Sequence, residues 1–355
     1  MKRTVQINGR EIGDGCPPYV IAELSANHNG DIGRALQIIQ AAKDAGADAV
    51  KLQTYRADTI TIDHDSEDFQ VHGGLWDGRT LFELYQWAQM PWEWHEPLFA
   101  RARELGIAIF SSPFDATAVD LLEQLGAPAY KIASFEIIDL PLIRRVASTG
   151  KPLIMSTGMA GLEEIGAAID AAREAGCANP IVLRCVSGYP APAGEYNLKT
   201  MVDIAQRFGV LTGLSDHTIS NVTALASVAL GGCVIEKHVT LDRAGGGPDD
   251  SFSLEPAELA SLVADAHTAW TALGKVSYDR QSSEQGNAKF RRSLYVVKDL
   301  RKGELITPEH VRSIRPGFGL PPDCIGAIVG RHARIDAQRG SPVTWQLVGD
   351  DPERR

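Results

Sequence analysis

Eight short apolar runs recur along this chain, each finishing on polar residues, and they constrain the fold more than any other feature. In order they read "YVIAELSAN", "DAVKLQTY", "IAIFSSPF", "AYKIAS", "PLIMSTG", "IVLRCVSGY", "VLTGLSDH" and "CVIEKHVTL". Helical patterns lie between most of them. "DIGRALQIIQAAKDAGA" puts Ile32, Leu36 and Ile39 on one face, offers Asp31 as an N-cap and ends at Gly46. "GLEEIGAAIDAAREAG" and "EPAELASLVADAHTAWTALG" behave in the same way. Strands that are apolar almost throughout, alternating with helices, predict a parallel sheet covered on its outer side. Eight such units close a (β/α)8 TIM barrel, and residues 16–275 fit its usual size of about 250 residues. A doubly wound open sheet is the competing arrangement, but no GxGxxG follows the first run.

Two segments depart from the repeat. Residues 56–90 form a long insertion after the second run, and loops of that length in a compact domain are usually lids or binding loops. The alternative is a surface excursion tied down by Trp76, Phe82 and Trp87. The second departure is the tail. Residues 276–289 are polar and turn-rich and read as a linker, so the barrel is assigned residues 1–275. Residues 290–355 then form a small, arginine-rich domain of mostly irregular β structure, with a frayed "GDDPERR" at its end.

Composition narrows the function. A net charge of −10 and a pI near 5.4 argue against a general binder of nucleic acid or anionic membranes, so any positive field must be local. The chain has no apolar run near the ~20 residues of a membrane span, and its start lacks the apolar core of a secretion signal. Five scattered cysteines with no CxxC pair read as reduced thiols, which points to the cytoplasm.

In a barrel of this type, chemistry sits at the C-terminal ends of the strands. The run "CVIEKHVTL" places Glu236, Lys237 and His238 in succession there. Burying an unpaired charge is costly, so packing alone does not explain them. The strand period of two puts Glu236 and His238 on one face and sends Lys237 toward the helices, and it likewise pairs Lys51 with Gln53. His217 and His238 end consecutive runs, on neighbouring strands about 4.8 Å apart. Two imidazoles so placed can ligate one divalent ion, with water or substrate completing the shell; otherwise one simply hydrogen-bonds within the mouth. Such a pair suits Mn, Co, Fe or Mg better than a closed structural zinc. Lys51 and Lys131, with the hydroxyls of Ser112, Ser134 and Ser215, make a candidate cradle for a phosphate. A Schiff-base lysine and a lysine head merely reaching solvent are the alternatives.

The succession "IAELSANHNGD", "KLQTY", "SSPFD", "YKIASFE", "LSDHT", "EKHVTLDR…GPDDSFSLEP" and "IRPGFGL" resembles the sialic acid synthase family over nearly the whole chain. "SANHNG", "KLQTY" and "GGLWDGRTLFELY…PWEWH" resemble its pseudaminic acid synthase branch. The resemblance implies a metal-dependent condensation of phosphoenolpyruvate with an open-chain acetamido sugar, yielding a nine-carbon 2-keto acid and phosphate. For this branch the sugar is 2,4-diacetamido-2,4,6-trideoxy-altrose. It implies that the tail is an antifreeze-like (SAF) domain, which caps the partner's barrel in a homodimer. It assigns His217 and His238 to a divalent ion, Mn2+ first and Co2+ or Mg2+ next, that polarises the sugar aldehyde.

By the same resemblance Lys51, Ser112, Lys131, Ser134, Ser187 and Ser215 bind phosphoenolpyruvate. Ser187 departs from the asparagine of sialic acid synthases proper. Tyr189 and Gln53 line the site, Glu23 and Asp249 face sugar hydroxyls or water, and Arg315 reaches across to the partner's substrate. Either Glu23 or Glu136 steadies the cationic intermediate and helps deprotonate the attacking water. Two other classes compete: a Schiff-base aldolase for a 2-keto acid, and a non-catalytic carbohydrate binder using the small domain.

Overall fold

The computed structural model describes residues 2–349, so positions 350–355 of the expected frayed end lie outside the described residues. The chain divides into two compact units, the first ending at Gly274 and the second starting at Lys275. The first opens with a hairpin, β1 (Thr4–Ile7) and β2 (Arg10–Gly13). Eight parallel strands follow: β3 (Tyr19–Glu23), β4 (Ala49–Thr54), β5 (Ala108–Pro113), β6 (Tyr130–Ile132), β7 (Leu153–Ser156), β8 (Ile181–Cys185), β9 (Leu211–Asp216) and β10 (Val234–His238). They close in the order β10-β3-β4-β5-β6-β7-β8-β9, which is the predicted barrel.

The helices are α1 (Ile32–Asp44), α2 (Ala57–Ile60), α3 (Leu81–Ala88), α4 (His95–Leu105), α5 (Ala116–Gln124), α6 (Leu140–Ala147), α7 (Leu162–Glu174), α8 (Lys199–Phe208), α9 (Val222–Ala229) and α10 (Pro256–Leu273). Asp31 caps α1 as expected, accepting from the Gly33 N–H at 2.7 Å. Its fully buried face is Ala35, Ile38, Ile39 and Ala42, with Ile32 and Leu36 packed at the margin.

The period of two explains how a packed barrel can also carry charge. Inward positions begin apolar and end polar: Ile21 then Glu23, Ala49 then Lys51, Ala129 then Lys131, Val234 then Glu236 and His238. Outward positions such as Val20, Val50, Leu52 and Ile235 stay apolar and pack under the helices. At Gly213 a Cβ would fall 2.2 Å from the Val234 carbonyl oxygen, so only glycine lets β9 approach β10 there. The N-terminal hairpin is an element beyond the eight expected strands, and its turn is Asn8-Gly9, a strong turn signal whose residues both take positive φ, 48° and 81°. Ile7 and Ile12 from this hairpin join the apolar layer inside the barrel.

The insertion contains α2, α3 and short 3-10 turns instead of extended loop. Thr80 and Glu83 form a capping box at the start of α3. Trp76 donates to the Pro248 carbonyl at 3.0 Å, whereas Trp87 stays 40% exposed with the Arg79 guanidinium 4.5 Å over its ring. In the second unit β11 (Ser293–Val296) and β12 (Val311–Ile314) pair antiparallel. Isolated bridges and a core of Leu294, Val296, Leu300, Ile306, Val311 and Val343 complete a small, irregular β domain. None of the described helices is long and apolar enough to cross a membrane.

Candidate active site at the barrel mouth

Barrel closure gathers the inward polar residues into one charged cluster. Lys51 Nζ lies 3.2 Å from Glu23 Oε2 and 3.2 Å from Glu236 Oε1, and it donates to Ser112 Oγ at 3.2 Å. Lys131 Nζ lies 3.5 Å from the same Glu236 oxygen, which also accepts from Ser215 Oγ at 3.3 Å. Gln53 Nε2 donates to Glu23 Oε1 at 3.0 Å and to Ser25 Oγ at 2.9 Å, and Ser25 donates in turn to Asp249. All four charged groups are buried, with Lys131 at 1% exposure.

Burial and pairing act unequally on these groups. Glu236 sits between both ammonium groups. Burial opposes its ionisation, but Lys131 and Lys51 hold its carboxyl down to about 2. Glu23 has only Lys51 close by and is repelled by Glu236, so burial wins and raises it to about 7. For Lys51 the desolvation is outweighed by its two carboxylates, and its pKa rises. Lys131 shares one carboxylate and feels the Lys51 charge, so burial lowers it. The cluster therefore sets two lysines against one firmly ionised carboxylate and a second carboxyl raised to about 7. The Ser156 hydroxyl at the end of β7 is also buried and lacks a hydrogen-bond partner.

The two predicted histidines meet, with ring centroids 5.4 Å apart. His217 is held from several sides. Its N–H donates to the Tyr196 hydroxyl at 2.6 Å, and its Nδ1 bonds the Val186 carbonyl at 2.8 Å. His238 is kept neutral by burial and by the positive charge of His217 and the lysines, which push its pKa well below the usual range. Its Nδ1 lies 3.8 Å from Asp249 Oδ2, too long for a hydrogen bond, and has no other partner. Among the described residues no group of three or more His, Cys, Asp or Glu side chains forms a metal cage. Two imidazoles, one of them neutral with an unsatisfied ring nitrogen, fit an ion that completes its shell with water or substrate.

Beside this cluster opens a cavity of about 300 Å³. Gln53, Ser134, Glu136, Tyr189, His238 and Asp249 form one wall. Ser134 and Ser187 share a hydrogen bond of 2.9 Å, and the Tyr189 ring lies tilted against His217 with centroids 4.4 Å apart. Glu136 lies in a 3-10 turn after β6, has an unpartnered Oε2, and is raised to about 7 chiefly by burial. Glu23 lines no part of this cavity and lies behind Gln53 and Lys51. Arg315 is in the second unit, exposed and followed by a cis bond to Pro316.

Residues 38–278 match the NeuB family and residues 291–348 match the SAF domain. The chain belongs to the NeuB family. It is 43% identical over 322 residues to a pseudaminic acid synthase of Campylobacter jejuni, covering 91% of this chain and 94% of that protein. A pseudaminic acid synthase of Helicobacter pylori is 42% identical over 339 residues, covering 95% and 98%. The crystal structure of an N-acetylneuraminic acid (sialic acid) synthetase from Leptospira borgpetersenii, in complex with citrate, superposes with a TM-score of 0.72 at 31% identity. That likeness covers 81% of this chain and 95% of the other. The chain is thus a sialic-acid-synthase-type NeuB enzyme with a C-terminal SAF domain, whose activity class is phosphoenolpyruvate-dependent condensation to a nonulosonic acid.

Two parts of this NeuB-family site escape the sequence reading. Glu236 is noticed there as an inward charge but given no role; it proves to be the carboxylate shared by both lysines. Lys237 faces outward as predicted, yet its partner is not visible locally. Its ammonium donates to Asp216 Oδ2 at 3.0 Å and to the carbonyls of Thr218 and Ser220 at 2.6 and 3.1 Å. Asp216 is its register partner on β9, so the pair braces the loop that follows His217 from behind. The signal for it was the unbroken charged triplet in an apolar strand.

Proposed function

We propose that this chain is a pseudaminic acid synthase. It condenses phosphoenolpyruvate with the open-chain form of 2,4-diacetamido-2,4,6-trideoxy-altrose, giving pseudaminic acid and phosphate. The observation that carries the reading is the buried lysine pair that shares Glu236, beside two converging imidazoles and a cavity sized for a sugar. The likeness to the Campylobacter and Helicobacter synthases supports the choice of sugar.

In this mechanism Lys51 and Lys131 receive the anionic groups of phosphoenolpyruvate, with hydroxyl donors from Ser112, Ser134, Ser187 and Ser215. His217 and His238 would hold a divalent ion, Mn2+ or else Co2+ or Mg2+, whose chemistry is to polarise the aldehyde oxygen. Tyr189, Gln53 and Asp249 orient the sugar along the cavity wall. The C3 carbon of phosphoenolpyruvate attacks the aldehyde carbon, forming the new C–C bond and leaving cationic character at C2. Glu136 faces that space, and a carboxyl poised near 7 suits a base that takes a proton from the water adding to C2. Breaking the C2–O bond then releases phosphate and leaves the 2-keto acid. Glu23, buried against Lys51, keeps that lysine charged and oriented.

The active unit in this reading is a homodimer in which the SAF domain caps the partner's barrel and Arg315 acts in trans. The test is phosphate release from phosphoenolpyruvate against a panel of acetamido sugars, with and without chelator. The diacetamido trideoxy sugar should be preferred, and chelation should abolish turnover until Mn2+, Co2+ or Mg2+ is restored. Full activity in enzyme shown metal-free by elemental analysis, or a clear preference for N-acetylmannosamine, overturns the metal or the sugar assignment respectively.

A further inference from the structure

The cavity has two chemically different walls. The rest of its lining is largely apolar: Ile60 of α2, Leu84, Tyr85 and Ala88 of α3, and Tyr55 and Phe114 beyond the ends of β4 and β5. Ile60, Leu84, Ala88 and Phe114 offer no side-chain donor or acceptor. Leu84 and Ala88 are one helical turn apart and share a face, and the short Ala88 leaves room beside its longer neighbour. The wall is stiff. Tyr55 makes edge contacts to Phe114 at 5.1 Å and to Tyr85 at 5.8 Å, and the Ala57 N–H donates to the Gln89 side chain at 2.9 Å, joining α2 to α3. Trp76 closes one side through its bond to Pro248 and a ring contact of 5.7 Å with Tyr189.

We propose that this wall is a methyl-recognition subsite. It receives the deoxygenated C6 end of the acyclic sugar and disfavours a hydroxyl at that carbon, while the polar wall holds the aldehyde end. The assignment rests on the functional reading above and adds the residues that impose the choice. A hydroxyl turned toward Ile60, Leu84 and Ala88 gives up its water without gaining a partner. Apolar pockets reject an added hydroxyl by about 100-fold, so discrimination of that order is expected here.

The experiment compares two sugars that differ only at C6: 2,4-diacetamido-2,4,6-trideoxy-altrose and its 6-hydroxy counterpart. The readout is the ratio of their kcat/KM values in the metal-loaded full-length enzyme, alongside the KM for phosphoenolpyruvate. Wild type should favour the deoxy sugar by about 100-fold. Ile60→Thr, which keeps the shape and adds a hydroxyl partner, should narrow the ratio about tenfold and leave the KM for phosphoenolpyruvate unchanged. Ala88→Leu, which fills the space, should raise the KM of the deoxy sugar. A wild-type ratio near one, or an Ile60→Thr variant that slows both sugars equally, overturns the subsite. If neither sugar is turned over and another acetamido sugar is, the functional reading fails; that sugar and its 6-deoxy analogue then test the same wall.

Discussion

Replacing Glu136 with glutamine should make the protein more stable and less active, with a pH dependence that identifies the cause. Burial raises the Glu136 carboxyl from about 4.5 to about 7. A carboxyl raised on folding leaves the native state binding more protons, so stability is full below the unfolded value and is lost as pH rises toward the folded one. At 1.36 kcal/mol per tenfold change in proton affinity, that rise amounts to a cost of roughly 3 kcal/mol once Glu136 is ionised. Glutamine has similar shape and no proton to lose. Glu136→Gln should therefore gain roughly 2–3 kcal/mol more over wild type at pH 8 than at pH 5, read from denaturant unfolding by tryptophan fluorescence. Its kcat should fall by about 10²–10⁴-fold, and the rise of wild-type kcat with pH through about 7 should disappear. An equal stability change at both pH values would refute the raised carboxyl. Unchanged kcat would refute the base.

Lys51→Ala or Lys131→Ala should raise the KM for phosphoenolpyruvate more than that for the sugar, each removing a charge-assisted contact worth about 1.5–3 kcal/mol; steady-state kinetics in both substrates would expose equal effects as general disruption. Lys237→Met should destabilise the barrel by roughly 3–5 kcal/mol because it strands the buried Asp216 carboxylate, and adding Asp216→Asn should recover part of the loss in the same unfolding assay. Mixing a Lys131→Ala subunit with an Arg315→Ala subunit, each impaired alone at subsaturating phosphoenolpyruvate, should restore at most half of wild-type activity per verified heterodimer. No recovery would assign Arg315 to its own barrel or to no catalytic part.

Much of this protein is legible one segment at a time. A strand turns successive side chains to opposite faces whatever surrounds it. "CVIEKHVTL" alone therefore predicts that Glu236 and His238 share the interior while Lys237 leaves it, and so they do. The count of apolar runs, with helices between them, is likewise enough to predict the barrel and its active face. The short β runs broken by Gly and Pro suffice for the small second domain.

What the sequence leaves open is which residues from distant segments meet. It offers Glu23 and Glu136 as equal candidates to assist water addition, since both lie just past apolar runs. Only closure of the barrel turns Glu23 into a partner of Lys51 and leaves Glu136 lining the cavity with an unpartnered oxygen. Nor does any local pattern bring Trp76 to the Pro248 carbonyl or Lys237 to Asp216. The direction of a side chain is set by covalent geometry within two residues of it. Its partner is set by the register of neighbouring strands accumulated around the closed sheet, and that sum exists only in the folded chain.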